Sequence, residues 1–233
     1  MENNKFMKVK LRRKREIEGI SLFHYVSRGE NPQKYILHEL VYAFKGINYT
    51  NSLFKEYLAE KIERYLPIMF NCDKKDLVIL CVPSSKKETT VLRYKSFCEK
   101  LNSLGIEADY ETLYLDSDVE TKHLRMYSMN MDNRNLKSFK ESIRVNYAKA
   151  DKLRGKRVVL LDDVITNGKN IESCFELLRN SLGIKSTFLT LGRTYNENYE
   201  NENSSTIYEY MGNADKFMKD LIAYVDSNIK KVI

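Results

Sequence analysis

With 233 residues, 42% hydrophobic and 30% charged, the chain is long enough for one α/β domain with a substantial core. No apolar stretch approaches the ~20 residues of a membrane-spanning helix, and the start, MENNKFMKVKLRRKR, lacks the apolar centre of a signal peptide, so a cytoplasmic protein with no membrane association is expected. The formal net charge of +7 makes a polyanionic partner worth weighing.

Part of that charge is concentrated at the amino end, in Lys8, Lys10, Arg12, Arg13, Lys14 and Arg15. Residues 1–18 therefore read as a basic arm. Arg12, Arg13 and Arg15 are candidates for nucleic-acid phosphates, which such clusters contact without reading sequence. The competing reading is a solvated arm or edge strand that aids solubility. Ile20 to Val26 then reads as a strand, Pro32 to Ala43 as a helix, and Asn51 to Tyr65 as a second helix with apolar positions at Leu53, Phe54, Tyr57, Leu58 and Ile62.

Leu77 to Val82 (LVILCV) is a buried-strand candidate followed by Pro83-Ser84-Ser85-Lys86-Lys87. Hydroxyls, amides and a lysine at Ser84, Ser85 and Lys86 suit a diphosphate, the lysine supplying charge and the serines direction. Alone, the same residues are also an ordinary polar loop. Thr89 to Leu104 predicts a helix closed by Gly105, Ile106 to Leu115 an extended segment, and Phe139 to Val145 another strand. Between them, Asp116 to Asn135 is polar and carries Lys122, His123, Arg125 and Arg134. A cationic flap there would neutralise diphosphate charge and exclude water; a solvated surface loop is the plainer alternative.

Val158 to Ile171, VVLLDDVITNGKNI, carries the most function-specific pattern. Its apolar run, bounded by Gly155 and Gly168, suits a strand buried on both faces of a parallel sheet, where ligands bind at the carboxyl ends of strands. Asp162 and Asp163 would stand at that end. Thr166, Asn167, Gly168, Lys169 and Asn170 would offer amides and a helix N-terminus to a phosphate, while the carboxylates hold vicinal hydroxyls or Mg²⁺. An Asp-rich turn that merely caps a helix is disfavoured, because both aspartates lie too far ahead of the helix. Arg157 to Leu161 as strand, Ile171 to Leu182 as a helix ended by Gly183, and Lys185 to Leu191 as strand complete a βαβ unit.

After Thr194, YNENYENENSSTI reads as a polar connection. It leads to a terminal helix with Tyr208, Met211, Phe217, Leu221, Ile222 and Val225 for core or dimer packing. Cys72, Cys81, Cys98 and Cys174 lack CxxC spacing and read as reduced thiols. The expected division is 1–18 arm, 19–195 domain, and 196–233 connection and helical segment.

The aspartate segment resembles the signature with which type I phosphoribosyltransferases bind 5-phosphoribosyl 1-diphosphate (PRPP): an apolar strand, two acids, two apolar residues, Thr or Ser, a small residue, Gly, any residue, and Thr or Ser. Asp162, Asp163, Thr166 and Gly168 match; Asn167 replaces the usual Thr or Gly, and Asn170 stands where a hydroxyl is expected. Phe44-Lys45-Gly46 and the stretch Arg134-Asn135-Leu136-Lys137-Ser138-Phe139 are similar to segments of the ComF-like branch, whose amino-terminal zinc ribbon is absent here. The resemblance covers about Gly19 to Thr194. It implies an α/β fold with a central, mostly parallel sheet flanked by helices and a flexible hood, with Arg125 and Arg134 as hood candidates.

It also implies transfer of a 5-phosphoribosyl group from PRPP to a nitrogenous acceptor, with Mg²⁺ accompanying the substrate and pyrophosphate released. Asp162 and Asp163 are the catalytic candidates, and no metal is expected to be bound directly except Mg²⁺ at these two. The alternative from another class is a non-catalytic PRPP- or nucleotide-sensing protein, or one associated with nucleic acid in DNA uptake, mobile-element defence or regulation. A homodimer or a partner protein is compatible with either.

Overall fold

The computed structural model describes residues 7–10, 16–25, 36–46, 51–119, 138–194 and 223. Strands β1 (Met7–Lys10), β2 (Glu16–Tyr25), β3 (Leu77–Cys81), β4 (Glu107–Asp109), β7 (Arg157–Ile165) and β8 (Ser186–Thr194) form one sheet in the order β1-β2-β8-β7-β3-β4. Strand β1 pairs antiparallel with β2, and the other five run parallel. A separate antiparallel pair, β5 (Leu113–Leu115) and β6 (Ile143–Val145), lies beside it. The helices are α1 (Ile36–Lys45), α2 (Asn51–Phe70), α3 (Lys87–Ser103), α4 (Phe139–Ser142), α5 (Tyr147–Ala150) and α6 (Lys169–Leu182).

The apolar run of β7 explains the layering. Successive strand residues point to opposite faces, so Val159 and Leu161 enter a core with Phe44 of α1, Leu58 of α2 and Phe97 of α3. Val158 and Leu160 enter a second core with Ile171, Cys174 and Leu178 of α6. A strand buried on both sides needs apolar residues at every position, which is why no polar alternation interrupts β7 before Asp162. The α/β class and the mostly parallel central sheet are as the sequence predicts, and β7, α6 and β8 form the expected βαβ unit.

Several boundaries differ. Strand β7 continues through Asp162 and Asp163 to Ile165, so the aspartates lie within the strand, held by pairing of Asp162 with Thr190 and of Val164 with Gly192. The strand expected over Phe139 to Val145 is instead a helical turn followed by the short β6. The Ser138 amide donates to Glu141 Oε2 at 2.7 Å, and this Ser-x-x-Glu capping arrangement fixes a helix start. Helix α2 runs past its expected end at Tyr65 to Phe70 with Pro67 inside. Strands β1 and β2 begin within the stretch expected to be an arm.

Arg12, Arg13, Arg15, Arg125 and Arg134 lie outside the described residues, as does the terminal helix apart from Ala223. No helix among the described residues is long and apolar enough to cross a membrane.

Candidate functional site

Strands β3 and β7 are neighbours in parallel register, Cys81 opposite Leu161, and the Val82 amide donates to Leu161 O at 2.8 Å. The loop after β3 and the loop after β7 therefore leave the same end of the sheet from neighbouring strands, β7 running on to Ile165, roughly 13 Å beyond the Cys81–Leu161 pair. Ser84, Ser85 and Lys86 thereby follow the strand that neighbours Asp162 and Asp163, and residues 166–170 lie further along the same end of the sheet.

The first loop is tied to the helix it precedes. The Ser84 amide donates to Thr90 Oγ1 at 2.9 Å, and the Thr90 hydroxyl donates to Lys86 O at 3.1 Å. Ser85 O accepts from the Val119 amide at 3.0 Å. Ser84 Oγ is buried without a hydrogen-bond partner in the described structure, while Lys86 is exposed. A buried hydroxyl left unsatisfied costs free energy, and an anion at this loop would satisfy it.

The second loop turns on Gly168, whose φ of 68° lies in the left-handed region that glycine adopts without steric penalty. Asn167 Oδ1 accepts from the Lys169 amide at 3.2 Å, and the Thr166 and Thr194 hydroxyls are 2.9 Å apart. The Asn167 side chain thus braces the turn that leads into the helix, a task beside the phosphate role expected for it. Helix geometry leaves the next amides, of Asn170 and Ile171, without intrahelical acceptors. Lys169 and Asn170 are exposed at this dipole end.

The aspartates themselves are largely buried, at 8% and 6% exposure. By strand alternation Asp163 faces α1 and α3, where Lys45 Nζ lies 3.3 Å and Arg93 Nη1 3.2 Å from its Oδ2. Arg93 Nη1 is also 3.8 Å from Asp162 Oδ1. Edge-on packing of Phe44 on Tyr94 and Phe97, with ring centroids 5.8 and 5.3 Å apart, locks α1 to α3. That contact sets Lys45, next to Phe44, and Arg93, next to Tyr94, over the strand end.

Burial and the neighbouring Asp163 charge push the Asp162 carboxyl well above its ordinary range. Burial also opposes ionisation of Asp163, but Arg93 and then Lys45 overcome it and hold its pKa below the usual value. The pair is thus biased in opposite directions, Asp162 toward its neutral form and Asp163 toward a carboxylate matched by two cations.

A Mg²⁺ ion at Asp163 would compete with Arg93 and Lys45 for its carboxylate. Among the described residues no group of three or more His, Cys, Asp or Glu side chains is placed to hold a metal ion. The four cysteines are free thiols, and burial pushes the Cys81 and Cys174 thiols up.

Sequence reasoning gave Arg93 no role and took Lys45 only as part of a similar segment. A signal was available for Arg93. The buried stripe of α3 is Thr90, Tyr94, Phe97, Cys98 and Leu101, and position 93 falls on it at helical spacing from 90 and 97; a cation there requires a buried anion. No protein-family model and none of the curated proteins compared with the chain matches it.

Proposed function

We propose that this chain binds PRPP and transfers its 5-phosphoribosyl group to a nitrogenous acceptor with release of pyrophosphate. The observation that carries the reading is that the Ser84-Ser85-Lys86 loop and the Thr166 to Asn170 loop follow the carboxyl ends of two adjacent parallel strands, with an acidic pair at that end of β7. The first loop would take the diphosphate through hydroxyls, amides and Lys86. The second would take the 5-phosphate at the N-terminus of α6. Mg²⁺ would arrive on the substrate's diphosphate, with Asp162 and Asp163 the candidates for direct ligands.

In the neutral form that burial favours, Asp162 would both donate to and accept from a ribose hydroxyl. Lys45, with 30% of its side chain exposed, is the more accessible of the two cations on Asp163 and the one that ligand hydroxyls would displace. Freed from Lys45, the Asp163 carboxylate would favour the positive charge that develops on the sugar as the bond to pyrophosphate breaks.

A second reading, binding of PRPP or a related nucleotide without turnover, is favoured by the same ion pairs. Two cations already compensate the Asp163 charge that catalysis would draw on.

Calorimetry with PRPP, with and without Mg²⁺, tests the site. The native chain is compared with Asp162→Asn/Asp163→Asn and with Asn170→Asp, whose new acid suits a helix N-terminus but repels phosphate. Saturable binding weakened by both variants supports the site, and pyrophosphate release with a panel of bases then separates the two readings. A folded native chain that does not bind PRPP sinks both.

A further inference from the structure

We propose that the opposite end of the sheet carries a groove for single-stranded nucleic acid, a site independent of the PRPP reading. A cleft of about 710 Å³ opens at the amino ends of β7 and β8. It lies five residues along β7 from Asp162, roughly 16 Å. Lys156, Arg157, Arg179 and Lys185 line it, against one carboxylate, Glu18.

Two of these cations are anchored. Arg157 donates to Phe70 O at 2.9 Å and lies over the Phe70 ring, and Lys156 donates to Lys75 O. The other two, Arg179 and Lys185, are exposed and form no ion pair among the described residues. Arg157 is turned to Phe70 on the α2 side of β7, so Arg179 and Lys185 are the cations left open to the cleft, where they raise the local concentration of anions beside the one carboxylate of the lining, Glu18.

The cleft is too large and its charges are too dispersed for a single inorganic anion to explain. They come from the start of β7, the last turn of α6 and the connection into β8. The end of α6 would repel an anion through bare carbonyls, but the Gly183 amide donates to Arg179 O at 3.0 Å and the Ile184 amide to Leu178 O at 3.3 Å, so these acceptors are met.

Two further features fit a nucleic-acid strand. Ser186 Oγ, in the lining, is buried without a hydrogen-bond partner and can donate to a phosphate oxygen. Phe175, partly buried, adds an aromatic surface to the same lining; a basic groove with an aromatic side chain is how single strands are held without sequence readout. The cationic stretch at residues 12–15 lies outside the described residues.

The test is fluorescence anisotropy of a labelled oligothymidine over a salt series. It uses the full chain, the variant Arg179→Glu/Lys185→Glu, and the charge-matched control Arg64→Glu/Lys95→Glu, whose positions are exposed on α2 and α3. Native binding should weaken with salt. The groove variant should bind about tenfold or more weaker, its salt slope reduced by about 1.4, or 0.7 for each lost phosphate contact, while the control binds as the native chain does. Circular dichroism verifies folding, and Arg179→Gln/Lys185→Gln replaces the reversal variant if that fails to fold.

The proposal is overturned if the folded native chain does not bind, if the groove variant binds as well as the control, or if anionic vesicles are bound and the oligonucleotide is not.

Discussion

Arg93 Nη1 lies 3.2 Å from Asp163 Oδ2, with both side chains about nine-tenths buried. Helix α3 and strand β7 are thus joined by a charge pair taken out of water. Removing one partner of such a pair leaves an uncompensated buried charge, at a cost on the order of 3 kcal/mol. Arg93→Met is expected to lower unfolding stability by less than that, because Lys45 Nζ still lies 3.3 Å from Asp163 Oδ2. Arg93→Met combined with Asp163→Asn is expected to recover part of it, because neither charge then remains. Urea titrations of the four proteins in this cycle check both statements, and additive losses would show that the two side chains are not coupled.

The acidic pair also predicts opposite responses to pH. The Asp163 pKa is depressed in the folded state by Arg93 and Lys45, against burial. Its contribution is therefore fully present above the unfolded value of 3.8 and is lost as pH falls through the lower folded value. Asp162 is raised by burial and by Asp163, so above pH 3.8 the folded state holds a proton that the unfolded state has released. Stability consequently declines as pH rises from 3.8 through the raised value. Asp162→Asn should abolish that decline and increase stability at neutral pH, whereas Asp163→Asn should reduce it. Urea midpoints measured from acid to neutral pH decide the matter, and a decline that persists in Asp162→Asn would assign it elsewhere.

Much of this site was legible because β7 obeys a strict rule. A strand covered by helices on both faces cannot alternate, so Val158 to Leu161 marked the sheet centre and Gly168 marked the turn into α6. The partners of the aspartates were not legible in the same way. Periodicity assigns Arg93 to a helix face but cannot say which strand end that face meets; the meeting is made by Phe44 against Tyr94 and Phe97. Lys55 escaped notice for a different reason. Lysine is almost never fully buried, yet this one is 2% exposed beside Phe54. In the Phe139 to Val145 segment the Ser138 and Glu141 capping box turns the first half into helix and leaves only Ile143–Val145 as strand.

Lys55 gives an alkaline signature. Its Nζ donates to Leu92 O at 2.8 Å, and burial, followed by the nearby Arg93 charge, lowers its pKa from 10.5 to about 8. Between pH 8 and 10.5 the unfolded chain therefore binds more protons than the folded one, and stability contributed by this residue rises with pH. Lys55→Met removes the buried ammonium, and Leu92 O keeps its helical amide donor, so the variant should be more stable than the native chain at pH 7 and lose the alkaline rise. Thermal unfolding compared near neutrality and at pH 10 tests it; an unchanged rise in Lys55→Met would refute the assignment.

Gly19 holds the register of the sheet edge by having no side chain. It stands opposite Phe188 across β2 and β8, and a Cβ added there would lie 2.2 Å from Phe188 Cδ1. The fully buried Phe188 ring belongs to the core on the α6 side, with Ile17 and Leu160, so it cannot turn aside without displacing them. Overpacking of this kind costs about 1–3 kcal/mol, and Gly19→Ala is expected at the upper end because the contact is with a rigid ring. Gly19→Ala with Phe188→Leu should regain part of the loss, since a smaller side chain leaves room for the methyl group. The decisive comparison is between this double variant and Phe188→Leu alone. If Gly19→Ala costs as much in the leucine background as in the native one, the ring is not the obstacle, and the glycine is required for some other feature of β2.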